Sequence, residues 1–296
     1  MKKSYLLLHI AVLLAGFTGI FGKLITLNEG LIAWYRVFFS CLWLFLILKI
    51  YRINTKISIY EKYAIAKTGI FITMHWVFFY GSIRYSNISI GVVCYSLTSF
   101  FTAIFKPLMK KKSIVKSELF ISLLTLFGIG LIFTFEGSYK LGIGLGVISS
   151  AFAALFTIGN ESLVNEYDTM LINFYQMLGG TFFLGAFMPA YLYYSPHDRI
   201  FPNGADTLYL IILSLVCTVL LYLLFAESLK HIPAFTVNLS FNLEPVYAIV
   251  LAFLFFHETK EVGIYFYIGL LFIALSIILQ TKISIREGNG KTNLAN

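Results

Sequence analysis

Asn242-Leu243-Glu244-Pro245-Val246-Tyr247 lies inside an apolar run from Ala234 to Phe256. A core helix of a soluble domain needs no run of that length. A bilayer does, because its hydrocarbon layer is about 30 Å thick and about 20 apolar residues of helix cross it. A carboxylate and a proline stand together in the middle of this run. An ionisable group at that depth costs at least about 2.5 kcal/mol. Proline removes a backbone donor and clashes with the carbonyl four residues earlier, here that of Phe241. Two penalties at adjacent positions point to a site, or to a bend held against other helices.

The rest of the chain has the same character. Of its 296 residues 59% are hydrophobic and only 12% charged, against about 25% charged in soluble domains. Ten apolar stretches follow one another, near 5–25, 30–50, 64–83, 88–109, 117–135, 141–163, 170–194, 207–229, 234–256 and 262–282. Each is expected to be a helix, since a helix satisfies its own backbone in lipid. The expected fold is therefore an all-α membrane protein of ten transmembrane helices. The start, Met1-Lys2-Lys3 followed by Tyr5 to Ile20, resembles a secretory signal. Its apolar part is too long for one and no small-x-small site follows, so it reads as an uncleaved first span.

The net charge of +8 raises the question of nucleic acid, but the basic residues sit in short loops. They orient the chain instead. With the N-terminus inside, the first half places Lys2, Lys3, Lys49, Arg52, Lys56, Lys62, Lys67, Lys106, Lys110, Lys111, Lys112 and Lys116 on the cytoplasmic side, and only Lys23, Arg84 and Lys140 outside. Arg36 falls within a span. Both termini are expected in the cytoplasm, with a polar, disordered tail over 284–296. Cys41, Cys94 and Cys217 lie in apolar runs and show no disulfide or zinc spacing. No phosphate-binding loop, metalloprotease helix or nucleophile elbow occurs. No cofactor, metal or ATPase subunit is implied, and the oligomeric state is left open.

An internal repeat is legible. Ser82-Ile83-Arg84-Tyr85-Ser86 corresponds to Ser228-Leu229-Lys230-His231-Ile232. At the same offset Ser96-Leu97-Thr98-Ser99-Phe100 falls on Asn242-Leu243-Glu244-Pro245-Val246. Five spans separate the copies, and an odd number turns the second upside down. Inverted repeats around a midplane site are a transporter architecture.

Leu243 to Glu258, a mid-helix Leu-Glu-Pro followed by an apolar run closing in His-Glu, resembles the signature of EamA-type transporters of the drug/metabolite transporter superfamily. Ser228 to Ala234 resembles the hinge that precedes it in that family. The first repeat departs from the pattern, with Thr98-Ser99 in place of Glu-Pro. The resemblance implies two five-helix repeats, 1–137 and 138–283, around a central cavity. It also implies movement of small metabolites, often amino acids, their derivatives or amphipathic compounds, frequently outward across the cytoplasmic membrane. A nucleotide-sugar carrier of the same superfamily is the alternative within transport. A membrane scaffold or embedded enzyme is the alternative outside it, though no acid–base cluster supports an enzyme.

Glu244 has three readings: a substrate or proton site, a structural hydrogen bond between helices, or a helix-end residue. Asn238, Asn242 and Pro245 share one face of their helix and Glu244 points about 200° from Asn242. Which face meets the cavity stays open. Tyr95, Thr98 and Thr102 form the matching stripe of the fourth span. His75, deep in the third span, can meet an organic solute or simply pack. Ser150, Ala153, Thr157 and Asn160 line one side of the sixth span, with Glu161 beside them as a wetted boundary charge. The expected substrate-binding set is His75, Tyr95, Thr98, Thr157, Asn160, Asn238, Asn242 and Glu244. The expected hinge or gate positions are Pro245, Glu227, Gly16 and Gly19.

Overall fold

A computed structural model describes residues 2–53, 56–133, 139–194 and 199–244, together with 247, 251, 265, 267–269, 271–276, 278–279 and 282. All of its regular structure among these residues is helical. The helices are α1 (Lys2–Leu24), α2 (Glu29–Ile50), α3 (Ile59–Arg84), α4 (Ile88–Tyr95), α5 (Leu97–Met109), α6 (Lys116–Phe133), α7 (Lys140–Leu163), α8 (Thr169–Tyr194), α9 (Gly204–Ser214), α10 (Leu221–Leu229) and α11 (Ala234–Phe241). A π-helix, Leu215–Leu220, joins α9 to α10. Among the described residues, six stretches are long and apolar enough to cross a membrane: 3–24, 29–50, 90–109, 140–163, 169–194 and 204–229. The chain is a multi-pass membrane protein. Pro245, most of 246–264 and the tail lie outside the described residues.

Short turns with polar caps join the helices. Asn28 accepts from the Leu31 amide at 2.8 Å and starts α2, while Asn87 accepts from the Ile90 amide at 2.8 Å and starts α4. Ser58 and Glu61 form a reciprocal capping box on α3. The Ser58 hydroxyl and amide, with a further bond from Tyr167, hold the Glu61 carboxyl below the usual range. At one end of the bundle Thr26 bonds Asp206 through backbone and hydroxyl, both at 2.8 Å. At the other end Ser228 Oγ donates to the Ser4 carbonyl at 3.2 Å.

Lipid offers no hydrophobic drive for helix association, so close backbone approach takes its place. α3 is the central helix, packed against α7 and α8. Gly146 of α7 lies where a Cβ would come 2.5 Å from that of Cys94, and a Cβ on Gly69 of α3 would collide with the Gln176 backbone. Gly69→Ala is expected to lower stability by about 1–3 kcal/mol, read as an earlier thermal unfolding in detergent. Gly16 and Gly19 of α1 are both buried. A Cβ on Gly19 would stand 2.9 Å from Ile88 Cγ2 of α4.

Three expected continuous spans are interrupted. The stretch 88–109 breaks at Ser96, where the amide bonds Val93 at 3.0 Å in a tighter, three-residue turn. The stretch from Ala234 breaks after Phe241, where the Asn242 and Leu243 amides bond Leu239 and Ser240 at 3.0 and 3.1 Å. The two broken helices match in register: Ile88 and Ala234 begin them, Tyr95 and Phe241 end them, and both have 8 residues. The third interruption is the π-helix within 207–229. Wide turns of this kind are rare and cluster at functional sites.

Candidate functional site

Arg36 of α2 is 1% exposed, in the middle of an apolar span. An unpaired guanidinium there would be prohibitive, and each branch is engaged. Nη1 donates to Tyr80 Oη at 2.9 Å, Nη2 to the Cys217 carbonyl at 2.7 Å and Nε to Thr218 Oγ1 at 2.7 Å. The last two partners sit on the π-helix, whose wider turn presents a carbonyl and a hydroxyl side by side. Thr218 passes its own proton to the Leu213 carbonyl at 2.9 Å. The guanidinium carbon lies 3.9 Å above the Trp76 ring, a cation–π arrangement. Three of the five guanidinium N–H groups are thereby used.

Arg36 and Glu244 line one cavity with Ala15, Thr18, His75, Trp76, Phe79, Tyr95, Leu221, Tyr222 and Phe241. Glu244 is 5% exposed. Its carboxylate makes no hydrogen bond to another described residue. The rings interlock around it: Tyr95 is T-shaped on Phe241 at 6.2 Å, Tyr222 on Trp76 at 5.6 Å, and His75 lies 5.1 Å from Tyr95. His75 Nδ1 lies 3.2 Å from the Ser149 carbonyl. Ser149 Oγ lies closer to the same nitrogen, at 2.8 Å, so the hydroxyl and the carbonyl of one residue both hold the ring. Ser149 Oγ returns a bond to the His75 carbonyl at 3.0 Å. The cavity is small, about 20 Å³, room for a water molecule and no more. The wide chamber expected from the sequence does not appear at this point; aromatic side chains fill the space around Arg36 and Glu244.

Of the expected binding residues, His75, Tyr95 and Glu244 reach this cavity. Thr98, Thr157, Asn160, Asn238 and Asn242 do not. They are buried and tie helices together or bond back to their own. Thr157 Oγ1 donates to Asn238 Oδ1 at 2.9 Å, and Asn238 Nδ2 donates to Thr102 Oγ1 at 2.7 Å, joining α7, α11 and α5. Asn160 accepts from Gln176 Nε2 at 3.2 Å, which also bonds Thr68. Thr98 bonds back to the Tyr95 carbonyl at 2.6 Å. Amides in lipid find partners wherever they can, so polarity alone does not separate a lining residue from a strut. Arg36, Trp76 and Tyr222 were missing from the sequence-derived set. Arg36 had a legible signal, a charge within a span; the two aromatics had none among so many.

At the end of the bundle holding the α1–α2 turn, a second and larger cavity of about 380 Å³ opens. Lys23, Glu29, Tyr80, Arg84 and Asn87 are among its walls. Glu29 pairs with Arg84 at 3.0 Å. Tyr80 lines this vestibule and bonds Arg36 of the inner cavity's wall, so one hydrogen bond links the walls of the two.

The opposite end is clamped. Glu161 of α7 accepts from Lys106 Nζ at 2.6 Å, from Lys110 Nζ at 3.1 Å and from the Ala234 amide at 2.9 Å. The boundary charge expected at this position is thus a three-way junction of α5, α7 and α11. The Glu161 carboxylate also caps the start of α11, which has no side-chain cap of its own. Glu227 bonds Lys230 Nζ at 2.6 Å and accepts from Thr169 at 2.9 Å beside it. Among the described residues, no group of three or more His, Cys, Asp and Glu side chains is placed to hold a metal.

These features define a helical membrane protein with an arginine and a glutamate buried on one small cavity, a larger cavity at one end and an ionic junction at the other. A profile of the EamA-like transporter family matches residues 2–134 and again residues 140–281. The chain belongs to that family, in two repeats. A solved crystal structure, described only as that of a protein, is similar in fold, with a TM-score of 0.70 and 12% identity over 96% of this chain and 98% of that one. No curated protein matches.

Proposed function

We propose that this chain is a secondary transporter that moves a small amphipathic metabolite by alternating access, outward across the cytoplasmic membrane. The observation that carries this reading is Glu244. A carboxylate buried in an apolar span, without a hydrogen bond among the described residues, leaves a charge that a passing solute or proton can meet. The surrounding rings of Trp76, Phe79, Tyr95, Tyr222 and Phe241 suit an apolar body, and their faces suit a cationic amine. Amino acids, their derivatives and other amines fit that description. The positive loops support a cytoplasmic face at the Glu161 end, which makes the 380 Å³ vestibule the external one. In this reading the two repeats pack as an inverted pair, the clamp is the closed inner gate, and the inner cavity expands when a solute enters.

The test is uptake and release of labelled amines and amino acids by purified protein in liposomes. Glu244→Gln keeps the shape and removes the charge. It is expected to lose roughly 10–100-fold in transport, the value of a charge-assisted bond, with its unfolding temperature unchanged. Equal loss of stability and transport overturns the assignment and makes Glu244 a structural strut.

A further inference from the structure

The larger cavity, at the α1–α2 end, has room for a solute and a lining of two characters. Its volume of about 380 Å³ lies within the range of about 300–1,000 Å³ usual for small-molecule sites. Its apolar wall is Ile25, Leu27, Ile32, Ile83 and Ile88, all buried. Its charged wall is Lys23, Glu29 and Arg84. Arg84 Nη1 donates to Glu29 Oε2 at 3.0 Å. That single bond spends one of five guanidinium N–H groups and one of two carboxylate oxygens. Among the described residues Arg84 makes no other hydrogen bond and Glu29 Oε1 accepts none. Only 13% of the Glu29 side chain is exposed, against 48% of Arg84, so this carboxylate has lost most of its water for one bond. α4 begins on the same wall, at Asn87 and Ile88. Its first turn holds no acidic residue, so its N-terminus adds partial positive charge just beyond Arg84 in the chain.

We infer that this cavity is a second solute site, which holds a zwitterion with an apolar side chain, an amino acid of the leucine or phenylalanine kind. The ammonium meets Glu29 Oε1, and the carboxylate meets the unspent N–H groups of Arg84. Lys23 strengthens the field that draws the carboxylate. Both heads gain charge-assisted bonds from groups already held against each other, so little ordering is left for binding to supply. The apolar side chain lies on the isoleucines and displaces water from them. A lone amine leaves Arg84 unanswered, and a lone carboxylate leaves Glu29 so. Opposite charges side by side on one wall therefore select a solute that carries both. The inner cavity, at about 20 Å³, admits no such molecule in this arrangement, and the outer one is where the solute waits. Its part in transport rests on the reading above; its occupancy does not.

Equilibrium binding of labelled leucine and phenylalanine to the purified full chain in detergent tests the site. Saturable binding of at least one is expected. Leucinamide lacks the carboxylate and isocaproate lacks the amine. Each is expected to compete about tenfold less well than unlabelled leucine, the effect of one charge-assisted contact. Arg84→Gln and Glu29→Gln are each expected to raise Kd about tenfold, and Arg84→Lys, which keeps the charge, to raise it less. Glu244→Gln, expected to cripple transport, is expected to bind leucine as the natural chain does, so the two readings fail separately. Binding of neither amino acid overturns the proposal. Competition by leucinamide or isocaproate as strong as by leucine overturns it, because one head then suffices. Binding that falls in Glu244→Gln and is kept in Arg84→Gln overturns it too, and places the solute in the inner cavity. The ranking of competitors uses the natural chain alone, and so decides even where a variant folds poorly.

Discussion

Arg36→Met is expected to lower stability by about 3–5 kcal/mol, the usual consequence of removing one partner from a buried charge network. In detergent this reads as a fall of roughly 10 °C in the unfolding midpoint. The substitution strands the Tyr80 hydroxyl, the Thr218 hydroxyl and the Cys217 carbonyl, and leaves the Glu244 carboxylate in a cavity with no opposing charge. Arg36→Lys keeps the charge but not the planar fork, so it reaches one or two of three partners and gives up Trp76 stacking. An intermediate loss follows. The double variant Arg36→Met with Glu244→Gln is expected to be more stable than the sum of its parts, since removing both charges leaves none uncompensated. Strict additivity would show that the two residues share a cavity without sharing energy.

Glu161→Gln is expected to open the clamped end. The three bonds to Lys106, Lys110 and Ala234 hold α5, α7 and α11 together. Both lysines are partly exposed, at 23% and 36%, and solvent screening reduces what such pairs contribute. About 1–2 kcal/mol is a reasonable net value for the junction, with the backbone amide bond its best-protected part. That shifts the balance between closed and open forms by roughly tenfold. The three native cysteines are buried, so a single reporter cysteine at Ala234, itself 0% exposed, can be followed against a quiet background. Its labelling by a water-soluble maleimide is expected to be about tenfold faster in Glu161→Gln than beside the natural glutamate. High salt should speed the labelling beside the natural glutamate in the same direction, since these charges are screened. Unchanged labelling would mean that packing of the helices, and not the ionic junction, closes this end.

Much of the functional set was not legible before the helices were assembled, and the reason is visible at single residues. Asn238 and Glu244 lie six residues apart. One is a strut between Thr102 and Thr157, the other a carboxylate lining a cavity. Both are buried polar residues in one apolar run, and one-dimensional spacing assigns them no different fate. The same holds for Glu161. Its place near a helix end reads as a wetted charge, because the two lysines that reach it come from a helix about fifty residues earlier in the chain. The small size of this cavity, about 20 Å³, is likewise a matter of ring packing, which composition does not express.

The sequence by itself determined that this is a helical membrane chain, because an unbroken apolar run of about 20 residues has few other uses. It also determined the two-fold repetition, the register between the halves and the presence of buried charge at Arg36 and Glu244. Only the tertiary structure decided which polar groups face a cavity and which bind helix to helix. It also decided that the matching spans are broken in the same place and that a π-helix receives the arginine. Periodicity fixes which residues share a face of one helix; what stands opposite that face is set by helices distant in sequence, through contacts that lipid makes obligatory for every polar atom.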